Sequence, residues 1–310
     1  MEYTIKRCPN CNGELHIPAN LKTCICMFCG ESFNLQEKET PEISESNLQV
    51  IESEYRKSFD NITGLVENFE LLLPKFTKAQ YTPSFEEYVQ TGSTLLLPVE
   101  RYVTFSEGKA GIVTEEIAKT LIDFIKKDIA GSKGEGFTSS KNKLIDQYRF
   151  FLAVYMVPMI RSLKYDISEP LAESIIEKWR NVYPQFAFIK GDFNELKSGF
   201  EHKGLCFITT AVCERMDKAD DCYELTTFRK FRDTYMQLTK ERQELVEEYY
   251  RYAPVIVTSI NLYPDSVDRY KDIWQIYLQP CLKNIEENLL DKCEKGYTKM
   301  VQNLSAEYMF

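Results

Sequence analysis

Cys8-Pro9-Asn10-Cys11-Asn12-Gly13 and, after a spacer of fourteen residues, Cys26-Met27-Phe28-Cys29-Gly30 form two C-x-x-C knuckles. Two residues between cysteines let both sulfurs converge on one ion, and two such pairs supply the tetrahedral thiolate set that suits Zn²⁺. The spacing predicts a small β zinc ribbon over residues 1–35, with Cys8, Cys11, Cys26 and Cys29 as metal ligands. Four thiolates close the coordination shell and leave no position for water or substrate, so the ion is expected to be structural. Leu15, Ile17, Leu21 and Phe33 can form the apolar patch of a three-stranded unit. Gly13 and Gly30 follow the knuckles, where positive φ would let the chain leave the turn. The competing reading is a redox-active pair or a disulfide, but a redox motif needs one C-x-x-C in a βαβ setting. Cys24 is a fifth thiol that could replace Cys26. His16 is a reserve donor and reads as a surface residue.

Ribbons often meet nucleic acid, so the charge balance decides between partners. Residues 1–34 set Lys6, Arg7 and Lys22 against Glu2, Glu14 and Glu31, and the 310-residue chain carries a formal charge of -9. Phosphate recognition needs a basic surface, so a protein partner is expected rather than nucleic acid or an anionic membrane. The start MEYTIKRC has no apolar signal region. The longest apolar run, residues 150–160, is too short to span a bilayer. Ten cysteines without an export signal point to metal ligands and free thiols in a reducing cytoplasm.

The composition, 44% hydrophobic and 27% charged, is that of a globular protein. Residues 36–54, rich in Glu and poor in large apolar groups, read as an acidic linker turning helical near Leu48. A helical domain follows over 55–200 and a second helical unit over 201–310, giving a mainly α bundle behind the ribbon. Ile117, Leu121, Phe124, Ile125 and Ile129 recur at helical steps after Thr114 as N-cap, and Gly131 ends that helix. A second helix runs from about 140 to 163, kinked at Pro158. A third is capped by Ser168, with Leu171, Ile175, Trp179 and Val182 inward. Residues 60–110 show a weaker pattern, interrupted by Pro74, Pro83 and Pro98. The Gly131–Gly136 stretch follows a helix and lacks the Gly-Lys-Ser/Thr ending of a phosphate-binding loop, so it reads as a connector. Leu282, Ile285, Leu289, Cys293, Tyr297, Met300 and Leu304 mark one long amphipathic helix, closing the bundle or joining two copies of the chain.

Three further pieces stand in order: Cys206-Phe207-Ile208-Thr209-Thr210-Ala211; Phe228-Arg229-Lys230-Phe231-Arg232-Asp233; and Tyr249-Tyr250 before Pro254. Over about residues 204–260 the chain resembles the bacterial C-terminal region named for its Cys-Phe-Ile box (CFI-box), with Thr209 where the family has Ala and Phe228 where it has Leu. The resemblance implies an architecture and a candidate site, not a reaction. A cysteine at a helix N-terminus sits near the positive end of the dipole, which lowers its pKa. Cys206 is therefore a candidate nucleophile, His202 its base, and Thr209 or Thr210 oxyanion donors. The plainer reading makes Cys206 a small buried hydrophobe. Arg229 and Asp233 stand at i,i+4 and read as a salt bridge that pins neighbouring helices; the alternative is an anion-binding pair of Arg229 and Arg232 facing Tyr249 and Tyr250, with Leu225, Phe228, Phe231, Tyr235 and Leu238 inward. Cys213, Cys222, Cys281 and Cys293 lack ligand spacing and read as structural thiols. A zinc-binding adaptor or ligand-binding protein is the leading expectation; a cysteine-dependent enzyme, working by acyl transfer or peptide processing, is the alternative.

Overall fold

The computed structural model describes residues 3–8, 13–18, 21–35, 45–106, 108–132, 139–200 and 206–308. Strand β1 (Tyr3–Arg7) pairs antiparallel with β2 (Glu14–Pro18), and β3 (Thr23–Ile25) with β4 (Ser32–Asn34). The expected three-stranded unit is thus two separate hairpins, with Cys8 and Cys26 each following a hairpin's first strand. Leu15 and Ile17 alternate on one face of β2 and are buried with Cys8 and Cys26, while Phe33 packs at the edge. Leu21 lies outside the strands and is exposed. Gly30 has the expected positive φ of 74°. Gly13 serves a different need: a Cβ there would meet the Phe28 ring at 2.5 Å.

Among the described residues after the ribbon, every regular element is helical. The first helical core is built from α1 (Glu45–Asp60), α2 (Phe69–Leu72), α3 (Tyr81–Thr104), α4 (Ala110–Gly131), α5 (Ser139–Phe151), α6 (Val157–Ser162), α7 (Ser168–Val182) and α8 (Phe193–Ser198). The second is built from α9 (Phe207–Arg215), α10 (Tyr223–Asp233), α11 (Lys240–Asn261), α12 (Ser266–Ile273), α13 (Gln279–Glu286) and α14 (Leu290–Tyr308). The fold is mainly α with a small N-terminal β element. Among the described residues no helix is long and apolar enough to cross a membrane.

Several boundaries differ from the sequence reading for physical reasons. Helix α1 begins at Glu45, inside the expected linker, because Tyr55 and Phe59 on it pack against the first core. Thr114 lies within α4, not at its start, and returns its hydroxyl to the Ala110 and Gly111 carbonyls. Ser168 opens α7 as its first residue, but its hydroxyl accepts from the Tyr165 amide behind it. Helix α3 runs unbroken through residues that read as interrupted: Pro83 falls in its first turn, where no amide is needed, and Pro98 lies inside it. The long C-terminal helix is split at Asn288, at φ 56°, into α13 and α14. Met300, Leu304 and Tyr308 are buried within the chain's own second core.

The run from Phe150 to Ile160 is the centre of the first core and is buried throughout. It is two helices joined by a π-helical turn, Leu152–Met156, just ahead of Pro158. Proline supplies no amide to the turn before it, which frees the Val154 carbonyl to accept from the Tyr81 hydroxyl at 2.7 Å. At the adjacent residue another segment passes so close that a Cβ on Gly191 would lie 2.4 Å from the Ala153 carbonyl oxygen.

The two cores meet across a buried arginine. Arg149 is 0% exposed. Its Nε donates to Asp146 at 2.5 Å, its Nη2 donates to Ser259 Oγ on α11 at 2.8 Å, and its guanidinium lies 3.8 Å over the Tyr263 ring. Tyr263 closes the set by donating its hydroxyl to the same Asp146 carboxylate at 2.5 Å. Removing one partner of a buried ion pair typically costs about 3–5 kcal/mol, because the other charge is left uncompensated. Arg149→Met is therefore expected to lower unfolding stability by about that amount, read as a lower urea midpoint; a change under about 1 kcal/mol would show that this junction carries little.

Candidate functional site

The three sequence pieces, far apart along the chain, converge at the start of α9. Cys206 is the N-cap residue of that helix and makes no side-chain cap bond. A helix start leaves backbone donors unpaired, and here the tertiary structure satisfies one of them: the Ile208 amide donates to the Tyr249 hydroxyl at 2.9 Å. Arg232 on α10 reaches the same place. Its Nη1 donates to the Tyr250 hydroxyl at 2.9 Å and lies 3.5 Å from the Cys206 sulfur, while Nε and Nη2 grip Asp233 at 2.6 and 2.9 Å. Tyr297 on α14 completes the ring, its hydroxyl 3.1 Å from Thr209 Oγ1. Three helices, α10, α11 and α14, are thus tied to the start of α9 through three tyrosine hydroxyls and one guanidinium.

Beside this ring lies a cavity of about 280 Å³ between α10, α11 and α14, with Cys206, Arg232, Tyr249 and Tyr297 among its lining residues. Its walls are mostly hydrocarbon and aromatic, from Phe228, Phe231, Met236, Leu245, Val246 and Val301. Glu248 and Gln302, both exposed, stand among its polar lining groups. Apolar walls with few convergent polar groups are the usual form of a small-molecule site.

Burial holds the thiol that lines this cavity towards its neutral form. Cys206 is 4% exposed, and burial pushes its pKa above the ordinary thiol value, with the Arg232 and then Arg229 guanidinium charges pulling the other way without prevailing. Desolvation of the charged form thus outweighs the lowering expected from the helix terminus. The proposed base, His202, lies outside the described residues. Thr209 is engaged with Tyr297, and Thr210 lines a different cavity, so neither hydroxyl is aimed at the sulfur as an oxyanion donor.

Arg229 does not pair with Asp233 as its i,i+4 spacing suggested. It reaches back to Asp220 in the preceding loop, Nη2 donating at 2.6 Å to the carboxylate and Nη1 at 2.8 Å to the carbonyl. Leu238 is 70% exposed, since α10 ends at Asp233 and the helical register is lost before it. The thiols without ligand spacing are neighbours in space: Cys222 packs against the buried cluster that holds Cys213, and the Cys281 thiol donates to the Cys293 carbonyl at 3.7 Å. Burial and the neighbouring Cys222 push the Cys213 thiol up to about 12.

In the ribbon, Cys8, Cys26 and Cys29 bring their sulfurs within 4.8 Å of one another, a set that can hold a metal ion. Cys11 lies outside the described residues. The second knuckle has its turn locked by Gly30 N to Cys26 O at 2.8 Å, and the Phe28 amide points at the Cys26 sulfur at 3.4 Å. Cys24 is not in the cluster; its thiol turns to the Ile25 carbonyl at 3.5 Å. His16 is exposed beside Glu14, 3.6 Å away, and is not in the cluster either.

No protein-family model, curated protein or solved structure matches this chain.

The Tyr249 hydroxyl has a specific energetic role. Tyr249→Phe keeps the ring but orphans a buried amide, at about 1–3 kcal/mol. The expected outcome is a stability loss in that range with retained helicity by circular dichroism. An unchanged denaturation midpoint would show that α9 finds its cap elsewhere.

Proposed function

We propose that the protein is a metal-pinned adaptor whose second helical unit binds a small apolar ligand. The observation that carries this reading is the cavity of about 280 Å³, with the Cys-Phe-Ile, Arg-Asp and Tyr-Tyr pieces pinned together at one end of it. On this reading the residues that resemble the CFI-box are kept for building a binding site. Cys206 is then a wall residue, and the arginine and tyrosines are the frame that holds the cavity's end in place.

The metal in the ribbon is proposed to be zinc. Four thiolates at about 2.3 Å from a tetrahedral ion stand about 3.8 Å apart, and the Cys8 and Cys29 sulfurs are 3.7 Å apart. Cys11 would be the fourth ligand. The ion would hold two short hairpins that have little apolar surface to fold on. The ribbon also exposes Ile25, Met27 and Phe28 at 70, 82 and 64%, which supports a protein partner at this tip. Ten cysteines, read as metal ligands and thiols, support a cytoplasmic setting.

The second reading, a cysteine-dependent enzyme, draws on one contact: Arg232 Nη1 at 3.5 Å from the Cys206 sulfur. Burial of that sulfur and its raised pKa weigh against it.

Two measurements test the proposal. Native mass spectrometry and titration with a fluorescent apolar probe should show one binding site in the wild type, lost in Val301→Trp, which fills the cavity, and kept in Cys206→Ala. Probe binding that survives Val301→Trp, or none in the wild type, contradicts the cavity reading. Elemental analysis of the purified chain should give one zinc per molecule, reduced on Cys26→Ser; a metal-free, folded ribbon contradicts the zinc reading.

A further inference from the structure

Cys206, Cys213 and Leu225 form a small buried cluster of their own, and the half-exposed Cys222 packs against it. Buried cysteines usually behave as small hydrophobes. This group differs in setting a thiol that solvent reaches, Cys222, beside one that it does not, Cys213, which is 1% exposed.

The chain between these two cysteines is folded so as to hold them together. Helix α9 ends in a hydrogen-bonded reversal. Asp217 takes a φ of 55°, its amide donates to the Glu214 carbonyl at 3.1 Å, and the Lys218 amide donates to the Cys213 carbonyl at 3.0 Å. A turn follows in which the Cys222 amide donates to the Ala219 carbonyl at 3.0 Å, and Cys222 then stands as the N-cap residue of α10. Side chains brace the same connection: Lys218 pairs with Glu224, and Asp220 with Arg229. Closing a loop costs chain entropy, and here the folded backbone has already met that cost before any bond joins the sulfurs.

Exposure divides the roles of the two thiols. Oxidants react with thiolates at positions that solvent can reach. Cys222 is such a position. Burial, and then Cys222 beside it, push the Cys213 thiol up to about 12, so Cys213 enters second. Cys281 and Cys293 are also neighbours, but at 2% and 0% exposure both are withheld from an oxidant.

We infer that Cys213 and Cys222 are a site of reversible oxidation by hydrogen peroxide, forming a disulfide that links the end of α9 to the start of α10. In the first step the Cys222 sulfur attacks one peroxide oxygen. An S–O bond forms, the O–O bond breaks, and the departing hydroxide takes the thiol's proton as water, leaving a sulfenic acid. Cys213 then attacks that sulfur. The S–S bond forms, the S–O bond breaks, and the released hydroxide leaves with the Cys213 proton as a second water. The two thiols give up two electrons, which the peroxide receives, and a dithiol reverses the change. The inference does not depend on the apolar cavity or its ligand.

Peptide mapping of the native full chain after brief exposure to hydrogen peroxide tests it, with remaining thiols blocked under denaturing conditions. Two peptides joined through Cys213 and Cys222 are expected, and the link is lost on treatment with dithiothreitol, while Cys206, Cys281 and Cys293 stay as thiols. In Cys213→Ser the second step is blocked, so dimedone should trap a sulfenic acid on Cys222. In Cys222→Ser, Cys213 should remain a thiol. The oxidised wild type should melt at a higher temperature than the reduced chain, a rise absent from both variants. The wild-type map stands without the variants, so a variant that fails to fold leaves the test intact. The inference is overturned if Cys213 and Cys222 both persist as thiols under peroxide that converts free glutathione to its disulfide. It is equally overturned if Cys222 joins Cys206 instead, or passes to a sulfinic acid in the wild type with no link to Cys213.

Discussion

The hydrogen bond from the Ile208 amide to the Tyr249 hydroxyl is the constraint on which the C-terminal architecture turns. A helix that begins at a cysteine has no side-chain cap of its own, and a buried helix start with unmet amides is costly. The chain meets that need from another helix, which fixes α11 against the start of α9. Arg232 then bridges α10 to Tyr250 beside it, and Tyr297 brings α14 in through Thr209. Once these polar groups are fixed at one end, the apolar side chains of α10, α11 and α14 enclose a space they do not fill.

The same arrangement acts on the charge state of Cys206. A helix terminus and two arginines favour a thiolate, but burial favours the neutral thiol, and burial prevails. The bridging guanidinium is itself occupied by Asp233 and Tyr250. The sign has a consequence for stability. A thiol whose folded-state pKa is raised contributes its share fully below its unfolded-state pKa, and that share is lost as pH rises through the higher folded-state value. The balance therefore disfavours ionisation near neutrality, which a cysteine nucleophile requires.

Much of the fold could be read directly from residue spacing, and the misses have local causes. The C-x-x-C pairs located the ribbon because metal ligation imposes a fixed spacing. The Ile117 to Ile129 stripe located α4, although its start was misplaced: a threonine followed by acids looks the same at a cap as inside a helix that buries its first turn. Helix α3 was missed because Pro83 and Pro98 suggest interruption, whereas one sits in a permissive first turn and the other is absorbed within the helix. The extended C-terminal helix was over-read because amphipathic spacing carries across the turn at Asn288. The site itself was only half visible. Its residue types were apparent in three pieces, but the bonds joining Cys206, Arg232 and Tyr250 connect positions 26 and 18 residues apart, and burial of the thiol depends on all four helices. No local pattern encodes the Arg149 junction, since it arises where separate cores meet.

The account's central claim is that Cys206 is a wall of a binding cavity and not a nucleophile. The most direct test is the rate of Cys206 alkylation by iodoacetamide as a function of pH, read by mass spectrometry on the native chain. The account predicts slow modification from pH 6 to 8, with the rate rising only above the ordinary thiol range near 9. Fast, selective modification of Cys206 near pH 6 would mean a stabilised thiolate and would contradict it.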